Sequence, residues 1–375
     1  MNRLHQLAHL GQSIWYDNIN RSLLTGGALQ RMVDEGLLGV TSNPTIFEKA
    51  ISGSNDYDDQ IRDLLHRSPG ITTPEVIQAL MVQDIRVAAD ILLPVYQCTH
   101  GCDGYVSIEV TPAKARNEAA TVIEARELWT LVDRPNVMIK IPATREGLPA
   151  ITQAISEGIN INVTLIFSEE RYRQVAEAYI TGLERRLQAG NPLDHVASVA
   201  SVFVSRIDTL VDTQLEECRT HGANAVDVAR LQGKAAVANS KRIYQAFKDM
   251  FTSPRFALLQ KYGAALQRPL WGSTGTKNPA YSDLLYVEPL IGPFTVNTVP
   301  PQTYEAILDH CSPVLTLEAD LQEATLVMDA LADMGIRMDE VLNRLEADGV
   351  AAFEKSFDGL HKSLDGKMRS ALHKG

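Results

Sequence analysis

Eight short runs rich in β-branched residues, each followed by a longer segment with helical periodicity, restrict the fold more than any other feature. They lie at 13–19, 38–47, 105–110, 136–142, 161–167, 196–207, 269–274 and 294–300. The segments between them carry helix start and stop signals. Thr73-Pro74-Glu75 opens one, with Ile77, Leu80, Ile85, Ala88, Ile91 and Leu92 near a 3.6-residue spacing and Pro94 near its end. Thr111-Pro112 opens a second, running to about Leu131, and Ser168-Glu169-Glu170 a third, closed by Gly190-Asn191-Pro192. Such alternation implies a parallel sheet, because parallel neighbours need a crossover between them. Eight repeats suit a closed α/β barrel, the (β/α)8 TIM barrel. Two helical stretches exceed a minimal barrel, at 208–266 between the sixth and seventh strands and at 301–375 after the eighth. The expectation is one barrel-type domain over 1–375, its core at about 10–300 and the extra helices packed on its outside.

Composition narrows the function classes. The chain has 375 residues, 45% hydrophobic and 22% charged, which suits a globular enzyme with a large core. A net charge of −11 argues against a nucleic-acid or anionic-membrane partner. No apolar run is long enough to span a bilayer, and the first residues do not read as a signal peptide. Four cysteines are too few for a disulfide framework, so a reducing cytoplasm is expected. Cys98 and Cys102 read as loop residues. No dinucleotide or ATP loop motif appears, and none of the nine histidines falls at the late end of a strand run. Neither a cofactor nor a metal is expected.

Strand side chains alternate between faces. In the first run Trp15 shares a face with Asp17, and in the second Thr41 does so with Asn43. Further on, the pairs are Ser107 with Glu109, Met138 with Lys140, Asn162 with Thr164, and Ser201 with Phe203. The opposite faces are apolar: Val106, Ile108 and Val110; Val137, Ile139 and Ile141; Ile161, Val163 and Leu165; Val202 and Val204. The apolar face should pack on helices, which leaves a ring of polar groups inside the barrel at the C-terminal strand ends, where barrel enzymes keep their active sites.

Lys140 is the least expected member of that ring, since lysine is almost never buried unless paired or used. Burial disfavours an ammonium, and a neutral lysine amine attacks carbonyls. Asp17 and Glu109 could move protons beside it, yet each also stabilises the charged form, so a buried ion pair remains an alternative. Arg206, after the sixth strand, and the stretch GSTGTK (272–277), with Ser273 and Lys277, after the seventh, suit a phosphate at the barrel mouth.

At these residues the sequence resembles the transaldolase family, a group of Schiff-base aldolases, in its longer bacterial form. GVTSNPTIF (39–47) and VMIKIPATREG (137–147) resemble the family's two signatures, the second holding the imine-forming lysine. The segments at 105–110, 161–168 and 272–292 also look like family segments, and the similarity runs from about residue 10 to 370. The resemblance implies transfer of a dihydroxyacetone unit between sugar phosphates in the pentose phosphate pathway. By that likeness Lys140 would form the imine, Asp17 would be the acid/base, and Glu109 and Thr164 would hold a proton-shuttling water. Asn43 and Asn162 would contact substrate hydroxyls, Ser201 and Phe203 would line the pocket, and Arg206 would bind the phosphate. In shorter members an arginine follows strand seven as a second phosphate ligand; here the nearest cation is Lys277.

Three other readings stay open on sequence: cleavage of fructose 6-phosphate without transfer, a pyridoxal phosphate barrel, and a non-enzymatic scaffold. The oligomeric state is also left open.

Overall fold

The computed structural model describes residues 2–373. Eight parallel strands close into a barrel in sequence order, the last pairing with the first. They are β1 (Gln12–Tyr16), β2 (Gly39–Val40), β3 (Tyr105–Glu109), β4 (Val137–Pro142), β5 (Ile161–Ile166), β6 (Ser198–Phe203), β7 (Gln267–Gly272) and β8 (Thr295–Val299).

Some boundaries differ from the sequence reading, for local reasons. The second strand is two residues rather than ten, because Asn43 caps a helix over Pro44–Ser52. Asn43 Oδ1 accepts the Ile46 amide, and Pro44 takes the first helical position, where a missing N–H costs nothing. Residues 205–207 likewise open the Ser205–Thr220 helix rather than extending β6. The helix expected from Thr111 begins later: Pro112–Lys114 form a 3-10 turn, and Asn117 then caps Glu118–Val132. Thr72 and Glu75 form a reciprocal cap on the Thr73–Cys98 helix, and Pro94 lies inside it.

The interior is layered. At the N-terminal end Asp103 accepts hydrogen bonds from Ser13 Oγ (2.8 Å), Trp15 Nε1 (2.9 Å) and Arg268 (2.9 Å). Above this network Trp15, Tyr105, Met138, Val199, Leu270 and Val296 fill the middle as a separate apolar cluster. The C-terminal end carries Asp17, Glu109, Lys140 and Thr164, so the facing expected for β3 to β6 holds. Leu165 is the exception. It adopts a left-handed backbone (φ 61°) at a bulge between Val163 and Ile166.

The C-terminal helix does not lie on the barrel's outside as expected. Met338–His373 touches the Pro44–Ser52 helix, the 3-10 turn after β3, β5 and the Ser205–Thr220 helix. Those segments meet at the C-terminal end of the barrel, so this helix crosses the mouth. A Cβ on Gly349 would lie 2.9 Å from Leu165 Cδ2, so glycine lets the helix approach the bulge closely. Arg171 with Glu346 (3.1 Å), Thr45 with Ser356 (2.8 Å) and Asp58 with Lys367 (2.8 Å) fasten it along its length.

β2 generates a test. Gly39 pairs with Trp15 in the ladder, and a Cβ there would sit 2.6 Å from two atoms of the indole. Gly39→Ala should destabilise the protein by about 1–3 kcal/mol, the usual cost of overpacking. Urea unfolding measures it, and an unchanged midpoint would show that Trp15 yields freely.

Candidate active site

Register builds the centre of the site. Glu109 pairs with Lys140 across β3 and β4, and Lys140 with Asn162 across β4 and β5. Neighbouring strands lie about 4.8 Å apart, so three side chains in one row on one face must touch. Lys140 Nζ is 3.3 Å from Glu109 Oε2 and donates to the Ser42 carbonyl at 3.0 Å. The two side chains are 5% and 1% exposed, too little for water to screen the pair. Asn162 donates to Ser107 Oγ (3.0 Å) and accepts from Ser201 Oγ (2.6 Å).

Burial raises the Glu109 carboxyl to about 7; the Lys140 charge and hydrogen bond oppose this, and the Asp17 charge adds to it. A carboxyl that titrates near neutrality can both give and take a proton. Neither Glu109 oxygen has a hydrogen bond of good geometry, and the fully buried Thr164 Oγ1 also has none. Groups so placed retain the capacity to hold a water or a substrate oxygen.

Asp17 follows β1, with its amide on the Val299 carbonyl (2.9 Å). Thr41 Oγ1 donates to Asp17 Oδ1 at 2.7 Å and lies 2.6 Å from Thr298 Oγ1. Thr41 has one hydroxyl proton, so Thr298 must donate to Thr41. Burial raises the Asp17 carboxyl; the Lys140 charge and the Thr41 hydrogen bond pull it back.

A cavity of about 660 Å³ opens above these groups. Asp17, Asn43, Phe203, Arg206 and Ser273 line it, together with Asn18 and Phe353. The Arg206 guanidinium stacks 5.2 Å from the Phe203 ring centroid. Among the described residues Arg206 and Lys277 form no hydrogen bond or ion pair. Burial pushes the Arg206 pKa down, while the Asp348 charge raises it. Protein atoms around the Lys277 stem push its ammonium down first, and the Arg206 charge acts in the same direction.

Every sequence-predicted site residue is thus at the C-terminal end, but at different depths. Lys140, Glu109, Asn162, Ser201 and Thr164 are buried and do not line the open cavity. Lys277 does not line it either; it is exposed, near enough to Arg206 to feel its charge. Ser273 is on the wall with φ 54°, its hydroxyl 3.1 Å from Ser205 Oγ. Phe353 and Asn18 were missed. Phe353 stands 5.7 Å from Lys140 Nζ on the last helix, and nothing in local periodicity links it to β4. Among the described residues no group of His, Cys, Asp or Glu is placed to hold a metal ion, and no helix is long and apolar enough to cross a membrane.

The profile of the family described as Transaldolase/Fructose-6-phosphate aldolase matches residues 14–364. The chain belongs to that family. A transaldolase of Thermobifida fusca is 48% identical over 359 residues, covering 95% of this chain and 96% of its own. One from Trichodesmium erythraeum is 46% identical over 374 residues, 98% of each chain. Transaldolase 2 of Streptomyces coelicolor is 47% identical over 370 residues, 98% of this chain and 97% of its own. The protein is therefore an enzyme of the transaldolase/fructose-6-phosphate aldolase family.

The Glu109 environment has a pH signature. Its carboxyl lies above the ordinary glutamate value, so the folded state holds a proton that the unfolded chain has lost between the two values. Stability from this group is present below the unfolded pKa and is lost as pH rises through about 7. The stability of the wild type relative to Glu109→Gln should therefore fall between pH 5 and pH 8. Paired chemical denaturation at the two pH values checks this, and a rise instead would show that the Lys140 charge outweighs burial.

Proposed function

We propose that this enzyme transfers a dihydroxyacetone unit from a ketose phosphate, sedoheptulose 7-phosphate or fructose 6-phosphate, to an aldose phosphate, glyceraldehyde 3-phosphate or erythrose 4-phosphate. One observation carries the reading: a buried lysine against a carboxyl that titrates near neutrality, beside Phe353 on the cavity wall, with an unpaired arginine on that same wall.

The Lys140 amine adds to the ketose carbonyl, and loss of water leaves a protonated imine. Glu109, whose oxygens accept no well-formed hydrogen bond beyond the Lys140 contact, and Thr164, whose hydroxyl has no partner, hold the water that carries protons in this step. Asp17 takes the proton from the substrate hydroxyl, the carbon–carbon bond breaks, and the aldose leaves. The electron pair goes into the imine, so the fragment stays on Lys140 as a neutral enamine rather than a carbanion. The same steps in reverse attach it to an acceptor aldose. Asn43 and Asn162 contact substrate hydroxyls, Ser201 and Phe203 shape the pocket, and Arg206 binds the phosphate with help from Ser273 and Lys277. This activity belongs to the non-oxidative pentose phosphate pathway in the cytoplasm, with sugar phosphates as the partners. The transaldolase names of relatives at 46–48% identity favour transfer over simple cleavage.

Incubation with fructose 6-phosphate followed by borohydride should place a three-carbon adduct on the Lys140 peptide. Lys140→Met should carry none. In a parallel incubation without borohydride, erythrose 4-phosphate should discharge the fragment as a seven-carbon ketose phosphate; release of dihydroxyacetone alone would make the enzyme an aldolase. No adduct on wild type would remove the imine reading.

The phosphate assignment has its own test. Arg206→Ala should lower kcat/KM for fructose 6-phosphate by roughly 10- to 100-fold, the range for a lost charged hydrogen bond. Fructose, which lacks the phosphate, should be little affected. Equal losses on both sugars would count against the assignment.

A further inference from the structure

The enamine on Lys140 must survive until an acceptor arrives, and the barrel does not by itself protect it. Its strands surround Lys140 with Glu109, Asp17, Asn162 and Thr164, all polar. Beside the lysine stands a ring from another part of the chain. Phe353, on the helix that crosses the mouth, is 3% exposed, and its centroid lies 5.7 Å from Lys140 Nζ. The ring packs edge-on to Phe203 at 6.4 Å, and Phe203 packs on Phe167 at 5.6 Å. It also lines the cavity, which the lysine itself does not reach. The helix is held on both sides of it, by Gly349 against Leu165 and by Ser356 on Thr45.

We propose that Phe353 shields the Lys140 enamine from bulk water and so sets the ratio of group transfer to hydrolysis. The inference rests on the imine reading above. The unwanted step begins when a solvent proton adds to the nucleophilic carbon of the enamine, giving the imine of dihydroxyacetone. A water oxygen then bonds to the imine carbon and the carbon–nitrogen bond breaks. The amine regains its proton, and free dihydroxyacetone leaves. No oxidant or cofactor takes part. By that reading the water for productive imine formation is held by Glu109 and Thr164, which do not line the cavity, so shielding the cavity side need not stop the cycle. The ring face also stabilises the cationic imine.

Phe353→Ala and Phe353→Leu test this. For each variant and wild type, acceptor-free release of dihydroxyacetone from fructose 6-phosphate is compared with transfer to erythrose 4-phosphate. The release-to-transfer ratio should rise by about tenfold or more in Phe353→Ala, and less in Phe353→Leu. In deuterated water the released dihydroxyacetone should carry deuterium on carbon. If both activities fall together with an unchanged ratio, Phe353 only packs the helix, and the proposal is overturned. Should Phe353→Ala fail to fold, Phe353→Leu, which keeps most of the apolar bulk, decides by the same ratio. Borohydride trapping of wild type runs alongside: no adduct removes the imine reading and this inference with it, whereas an adduct with an unchanged ratio removes this inference alone.

Discussion

The Glu109–Lys140 contact is the constraint around which the rest of the structure is arranged. Two charges in a dry interior cost several kcal/mol each to desolvate, and their attraction repays this only with good geometry and further hydrogen bonds. The barrel holds a second buried ion pair for comparison. At the N-terminal end Asp103 meets Arg268, and its two oxygens also accept from Ser13 and Trp15. That pair is fully satisfied, as a structural network should be. Glu109 has no such partners, and burial pushes its carboxyl up. The satisfied pair sits beneath the apolar layer, and the unsatisfied one lies beside Asp17 and Phe353, which line the open cavity. A chain selected for stability alone would have no use for the second arrangement, whereas a chain that must move protons at that place needs groups with unused capacity.

Register converts this requirement into sequence. Glu109, Lys140 and Asn162 meet because β3, β4 and β5 pair in step, and a slip of one residue would turn each outward. The outward faces of these strands are continuous aliphatic surfaces packed on helices, so such a slip would bury charge against apolar side chains. The hydrophobic face therefore locks the polar one. This is why the interior of β3 to β6 was legible from alternation alone, down to the side on which Lys140, Glu109, Thr164, Ser201 and Phe203 lie.

Alternation reads poorly where local chemistry outweighs it. The second strand run ends early because an asparagine followed by proline makes a strong helix start. Asn43 therefore reaches the cavity as a helix cap rather than as a strand residue. At Leu165 the left-handed backbone breaks the period, and the side chain meets Gly349 of the last helix. Phe353 was illegible for a different reason. Its helix is amphipathic in the ordinary way, and its apolar stripe would look the same on the barrel's side or across its mouth. Only contacts between distant segments distinguish the two, and no periodicity encodes them.

The charge distribution shows why net charge was a weak guide to the ligand. At −11 the molecule as a whole repels an anion. At physiological salt that field is screened within about 8 Å, so an arriving phosphate responds mainly to the nearest groups. Those are Arg206 on the cavity wall and Lys277 near it, neither paired with a carboxylate among the described residues. The Arg206 charge lowers the affinity of the Lys277 ammonium for protons. A dianion between them would relieve that repulsion and gain from both charges. Asp348 is the acid that acts on Arg206, and it does so only from a distance, on the same helix that carries Phe353. The helix that brings Phe353 to Lys140 therefore also acts on the field at Arg206, so the proposed imine and phosphate sites both depend on how it is seated.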